Sequence, residues 1–222
     1  LTTTAATVFN GGFAANAAST ITTADNLSGL IVACTDADAN TGPTIQLKRD
    51  SSTTAANDLL GNLIFVGEND ADEATVYANI GSQNQVITNG SESGRFFINT
   101  IVGGTEYSRF FADATETVIN ENSRDLDFRV ESDTDANALF VEGSSGNVGI
   151  NTNAPYSFGV NSKVLTLNGV KGGALAFTRG TNSGTKQWAI RTSDDEALRF
   201  EYGSTLASEA MRLDASGNII IA

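Results

Sequence analysis

The chain has 222 residues, with 26 acidic against 13 basic side chains and a net charge of −13. That balance disfavours nucleic acid and anionic membrane as partners, since both require a basic face. The absence of histidine excludes Ser-His-Asp and Cys-His nucleophiles and His-based metal sites.

Leu, Ile, Val and Phe make up about a quarter of the residues, above the roughly 20% below which chains are disordered. The chain therefore folds, but around a thin core, which points to an obligate oligomer. The acidic charge suits the solubility of a long exposed assembly. No stretch approaches the ~18 apolar residues of a membrane span, and no signal peptide is visible. A start at Leu1 and a stop inside an apolar strand are expected of a piece of a longer polypeptide.

In chain order, the pattern divides into an N-terminal β-segment (1–43), a first β-module (44–120), a hairpin repeat and linker (121–162), and a C-terminal β-module (163–222). Residues 14–18 are alanine-rich but too short for a stable helix. Cys34, the single cysteine, reads as a small buried hydrophobe; an interchain bridge near a symmetry axis is the other reading. Period-two alternation predicts strands over 44–48, 126–130, 164–167 and 197–202. In the last of these, Leu198, Phe200 and Tyr202 share a face. Residues 57–61 read as one helical turn ended by Gly61. The doublets Phe96-Phe97 and Phe110-Phe111 must face both sides of their strands. One side is expected to be core and the other a subunit interface.

One phrase recurs. Residues 138–150 read ALFVEGSSGNVGI, and 209–221 read EAMRLDASGNIII. A weaker copy, 106–119, reads EYSRFFADATETVI. Each is strand, polar turn, strand, so the chain is built from repeated hairpins. Gly146-Asn147 and Gly217-Asn218 supply the turns, because Gly and Asn tolerate positive φ. The strands align as Leu126, Phe128 and Val130 with Leu198, Phe200 and Tyr202, and Phe140-Val141 with Met211-Arg212. In the weaker copy, Glu106 and Arg109 align with Glu209 and Arg212. Its turn at 113–116 lacks Gly-Asn and is expected to be longer or bulged.

The ordered set of stretches 19–26 (STITTADN), 35–43 (TDADANTGP), 56–61 (ANDLLG), 127–133 (DFRVESD) and 145–150 (SGNVGI) carries a resemblance over nearly the whole chain. The sequence resembles the repeat regions of tail-fibre and other virion-fibre proteins of tailed bacteriophages. The resemblance implies an all-β, elongated, intertwined homotrimer of small modules, layered as a β-prism or β-sandwich. It implies a place in a virion, on a tail or capsid fibre outside the cell. The expected partners are other fibre proteins and a host-surface glycan or protein receptor, with no nucleic acid and no membrane insertion. Such proteins often carry a self-cleaving trimerisation chaperone at the C-terminus; none is visible here.

Several motifs bear on chemistry. Clusters at 36–40, 69–73 and 133–137 present spaced oxygens of the kind that bind Ca²⁺. They lack the full loop with its glycine and terminal glutamate, and read as solvated turns. Gly103-Gly104 and Gly172-Gly173 lack phosphate-loop spacing and the lysine. Asn89-Gly90-Ser91 matches a glycosylation sequon, and Lys48-Arg49 is followed at once by Asp50. The Asp194-Asp195-Glu196 run beside Trp188 and Arg191 could supply paired carboxylates for glycoside cleavage, but reads as a charged turn. Sugar rings stack on aromatic faces, which makes Trp188, Tyr156, Tyr107 and Arg191 the candidate glycan-binding residues. Trp188 and Tyr202 also read as core.

The function expected is a non-catalytic structural and adhesive fibre segment, with no cofactor, no metal and no catalytic residue. A tailspike-like glycanase is the alternative. A second is an extracellular filament subunit that donates its terminal 219–221 strand to a neighbour.

Overall fold

The computed structural model describes residues 15, 17–24, 26, 28–159, 162–170, 172–177, 187–192, 195–203 and 208–222. The chain divides into two units, Leu1–Leu47 and Lys48–Ala222.

The described residues of the first unit form no strand or helix, and their side chains are exposed. Local Asx turns order part of it: the Asp38 carboxylate accepts the backbone N–H of Asn40 at 2.9 Å. Cys34 is exposed, against its expected burial, because no element forms around it to pack against. The strand expected over 44–48 is also absent; alternation alone does not hold a strand that lacks a ladder partner. The alanine-rich stretch 14–18 lies partly outside the described residues.

The second unit is all-β, with no helix among its described residues. Its first sheet is a five-stranded antiparallel meander: β1 (Leu59–Glu68), β2 (Ala74–Val86), β3 (Ser93–Val102), β4 (Thr105–Ala112) and β5 (Thr117–Ile119). A middle sheet holds β6 (Phe128–Val130), β7 (Leu139–Val141), β8 (Val148–Ile150) and β9 (Leu165–Leu167). The third is again a five-stranded meander: β10 (Ala174–Phe177), β11 (Gln187–Thr192), β12 (Leu198–Gly203), β13 (Ser208–Leu213) and β14 (Ile219–Ile221).

Turn chemistry sets these registers. Between β3 and β4, Gly103 and Gly104 both have positive φ, 57° and 79°. This is what a two-residue primed hairpin demands. Residues 57–61 are not helical. Asn57 sits at φ 68° and donates its N–H to the Asn84 carbonyl at 2.8 Å. Asp58 N–H reaches the Asn84 side chain at 2.7 Å. The segment is thereby pinned to β2, and β1 starts at Leu59.

β9 runs parallel to β8, so residues 165–167 lie in the middle sheet. The cause is Asn147, which is 1% exposed. Its Oδ1 accepts the N–H of Val164 at 3.0 Å, drawing the returning chain alongside β8.

The core is thin. Among the described residues the buried apolar ones are Phe111, Phe140, Ala189 and Ala197. Apart from weak contacts, strand meets strand only along the hydrogen-bonded ladders. A sandwich would interdigitate two inner faces, and here each sheet is a single layer.

Every sheet nonetheless carries one register row that is apolar on every strand. In the first sheet it is Leu63, Ile80, Ile98, Phe110 and Ile119. In the middle sheet it is Phe128, Val141, Val148 and Leu165. In the third it is Leu175, Ile190, Phe200, Met211 and Ile221. Register partners share a face, so each row is a continuous apolar stripe across its sheet.

The first and third sheets share a further device. An extra residue, Arg109, bulges from β4 between the pairs Ile98–Phe110 and Asn99–Ser108. Ala210 bulges from β13 between Phe200–Met211 and Glu201–Glu209. Matching the bulges places Ser108 with Glu209 and Phe111 with Arg212. The alignment of Glu106 and Arg109 with those two residues is therefore corrected by two positions. The turns explain the slip: they occupy 113–116, 142–147 and 214–218 between paired strand ends. The turn without Gly-Asn is the shortest, not a longer one.

Candidate functional site

The Phe doublets split as alternation requires. Phe96 and Phe110 share the face of the apolar row, with ring centroids 6.0 Å apart, edge to face. Phe97 and Phe111 are register partners on the opposite face, next to Gly81. A Cβ on Gly81 would overlap both the Phe97 ring and Asn62 Oδ1. Only glycine lets both side chains lie over β2.

Around Phe97 the same face is polar. Asn79 pairs with Asn99 across β2 and β3, and Glu106 on β4 holds both. The Asn79 amide N–H donates to Glu106 Oε2, and that of Asn99 donates to Oε1 at 3.0 Å. Arg95 stacks on Phe111 with its guanidinium carbon 4.7 Å from the ring centroid. It also lies 4.0 Å from the Asp113 carboxylate and donates to Gln83 at 3.4 Å. Asp113 is held down to about 2, chiefly by the backbone N–H of Thr115 and then its hydroxyl.

Asn79, Arg95, Phe97, Asn99, Glu106 and Phe111 line an open cleft of about 530 Å³. Polar atoms buried beneath it lack a partner. Asn79 is 8% exposed, yet its Oδ1 is buried with no partner, as are Asn62 Oδ1, Asn99 Oδ1 and Arg95 Nε. Each such atom costs about 1–3 kcal/mol when buried unpaired.

The polar face of the third sheet is built differently on the same frame. The positions equivalent to Asn79, Asn99 and Ser108 are Ala189, Glu201 and Glu209, and those of Gly81, Phe97 and Phe111 are Arg191, Arg199 and Arg212. Glu201, 4% exposed, takes Arg191 in a two-pronged pair at 2.7 and 2.9 Å. Glu209 is shared by Arg199 at 3.0 Å and Arg212 at 3.2 Å. This face answers its charges internally.

The four residues expected to hold a glycan do not converge. Trp188, 52% exposed, stands beside Tyr202 with centroids 5.5 Å apart. Three residues along β11, Arg191 points to the other face and is engaged by Glu201. Tyr107 lies in the first sheet under the Arg124 guanidinium, 4.5 Å from its centroid. Tyr156, 60% exposed, stacks edge to face on Phe158 at 4.8 Å.

Of the Asp194-Asp195-Glu196 run, Asp194 lies outside the described residues. Asp195 pairs with Arg199, and Glu196 sits at φ 60° in a turn. The 69–73 cluster is the β1–β2 turn, where Asn69 Oδ1 accepts the N–H groups of Ala71 and Glu73, each at 2.9 Å. Among the described residues, no three His, Cys, Asp or Glu group together.

Of the turn residues, Gly146 and Gly217 have φ of 70° and 85°, whereas Asn147 and Asn218 do not have positive φ. Sequence reasoning missed Asn62, Asn79, Asn99 and Glu106. Their signal is a partial alternation: Asn79 and Gln83 on β2, and Arg95 and Asn99 on β3, share one face with Gly81 and Phe97 between them. No protein-family model matches the chain, and no curated protein matches it.

Proposed function

We propose that the chain is a structural and adhesive segment of a bacteriophage fibre. In this reading it is a homotrimer that attaches a virion to a host cell surface and performs no catalysis. The observation that carries it is the apolar row on all three sheets, with no second strand layer packed on it among the described residues of the unit. Large apolar stripes on a soluble chain are docking surfaces or aggregation hazards. A symmetric neighbour presenting the same row satisfies them at no cost in new sequence. The acidic charge and the resemblance carried by the SGNVGI-type repeats support the same reading.

Light scattering of the purified chain is expected to give three times the mass of one copy. Labelled protein is expected to bind host cells without releasing reducing ends from their polysaccharide. A monomer mass with no cell binding would overturn the reading, and released reducing ends would favour the glycanase. One observation favours the filament alternative. β14 is an edge strand paired only with β13, and Ile219 and Ile221 are exposed. Electron micrographs showing long polymers instead of discrete fibres would select it.

A further inference from the structure

We propose that Asn89 is a site of spontaneous deamidation, with the Glu92 carboxylate as the base that starts it. The inference is independent of the fibre reading.

The chain holds three Asn-Gly pairs, Asn10-Gly11, Asn89-Gly90 and Asn168-Gly169. The first lies outside the described residues. A glycine after asparagine leaves its backbone nitrogen unshielded by a Cβ, so that nitrogen can close on the side-chain amide carbon. The other two pairs differ in what holds them. Asn168 is clamped: its amide donates to the Asn151 carbonyl at 3.0 Å, and its carbonyl accepts from the Asn151 amide at 2.8 Å. Its N–H reaches the Ile150 carbonyl at 3.0 Å. Asn89 lies in the β2–β3 turn, exposed with the rest of 86–92. One bond closes that turn, Ser91 N–H to the Thr88 carbonyl at 2.9 Å. Among the described residues no hydrogen bond holds the Asn89 side chain. Gly90 sits at φ 82°, and a Cβ there would meet nothing within 4 Å.

The decisive contact is at the reacting nitrogen. The Gly90 N–H donates to Glu92 Oε2 at 3.0 Å, within the reach a general base requires. Glu92 takes this proton as the Gly90 nitrogen forms a bond to Asn89 Cγ. The bond from Cγ to the side-chain nitrogen breaks, and ammonia leaves with the proton that Glu92 returns. A cyclic imide remains, and water opens it at either carbonyl to aspartate or isoaspartate. Both products add a negative charge beside Glu92. The iso form also adds a carbon to the backbone between two strands held in register.

The test incubates the full chain at neutral and mildly alkaline pH. Peptide mass spectrometry then reads the amide-to-acid mass gain at each pair. Asn89 is expected to convert at least about tenfold faster than Asn168, which has more hydrogen bonds to give up. Glu92→Gln is expected to slow Asn89 about tenfold, less than a base in a closed site supplies, because this turn is open to water. Its rate should then climb about tenfold per pH unit as hydroxide takes over, while the parent rises less steeply. A changed turn shape alone does not alter that slope. Glu92 is exposed, so the variant keeps the fold, which an unchanged melting temperature verifies. Three results would overturn the proposal: no mass gain at Asn89, equal conversion at Asn89 and Asn168, or a Glu92→Gln chain with the parent's pH slope.

Discussion

Aspartate side chains close the turns at 113–116 and 214–218, and they do so with the same chemistry. Asp214 Oδ1 accepts the backbone N–H groups of Ser216 at 2.9 Å and Asn218 at 2.8 Å. Asp113 does the same for Thr115 and Glu116. Both carboxyls are pulled below the ordinary 3.8, Asp113 to about 2. A group whose folded pKa is depressed contributes stability above its unfolded pKa and loses it as pH falls through the folded one. Melting temperature is therefore expected to fall between pH 4 and pH 2, and to fall less in Asp113→Asn than in the parent. Parallel pH profiles would sink this assignment. Gly217 makes a separate prediction. A side chain there would meet no atom within 4 Å of its Cβ, so only the φ of 85° resists it. Gly217→Val is expected to cost about 1–2 kcal/mol in urea melts. Gly94→Ala, which meets only ordinary contact at 3.5 Å, should cost nearly nothing.

At the scale of elements, strands are legible wherever alternation coincides with a partner. β12 has Leu198, Phe200 and Tyr202 on one face as the pattern requires. The stretch 44–48 has the same alternation without a ladder and forms no strand. What the pattern does not encode is pairing at a distance. The parallel β8–β9 pair depends on one buried amide, Asn147, and the cleft depends on three strands converging on Glu106. Register between the three similar hairpins escapes a comparison of similar letters because it is anchored at turns of unequal length. The third sheet offers the clearest energetic test of an element. Glu201→Gln leaves Arg191 facing a neutral group in a mostly buried pair, expected to cost about 2–3 kcal/mol given the partial exposure of the arginine. Arg191→Met with Glu201→Leu should restore most of it in denaturant melts, since a matched apolar pair has no charge to desolvate. Equal losses in the single and double variants would show that the pair's contribution lies elsewhere.

For the whole molecule, the decisive quantity is what covers the apolar rows. Leu63 and Leu175 begin those rows on β1 and β10 and are about half exposed, 52% and 50%. Within one chain each has little left to lose, so an aspartate at either position should barely disturb the sheet that carries it. Between copies the consequence differs. Burying an unpaired carboxylate costs several kcal/mol, and symmetry repeats that cost in every subunit. Leu63→Asp and Leu175→Asp are therefore expected to lower the mass seen by light scattering to that of one copy, with the far-UV signature of β-structure retained. Glu106→Gln, on the opposite face of the first sheet, should leave the mass unchanged. If both aspartate variants keep the parent mass, the rows are not the contact between copies. If they lose β-structure together with mass, folding and assembly are one event, as a core this thin makes physically reasonable. A dilution series then separates the two cases: coupled folding makes the melting temperature of the parent chain rise with concentration, whereas a chain that folds alone melts at a fixed temperature.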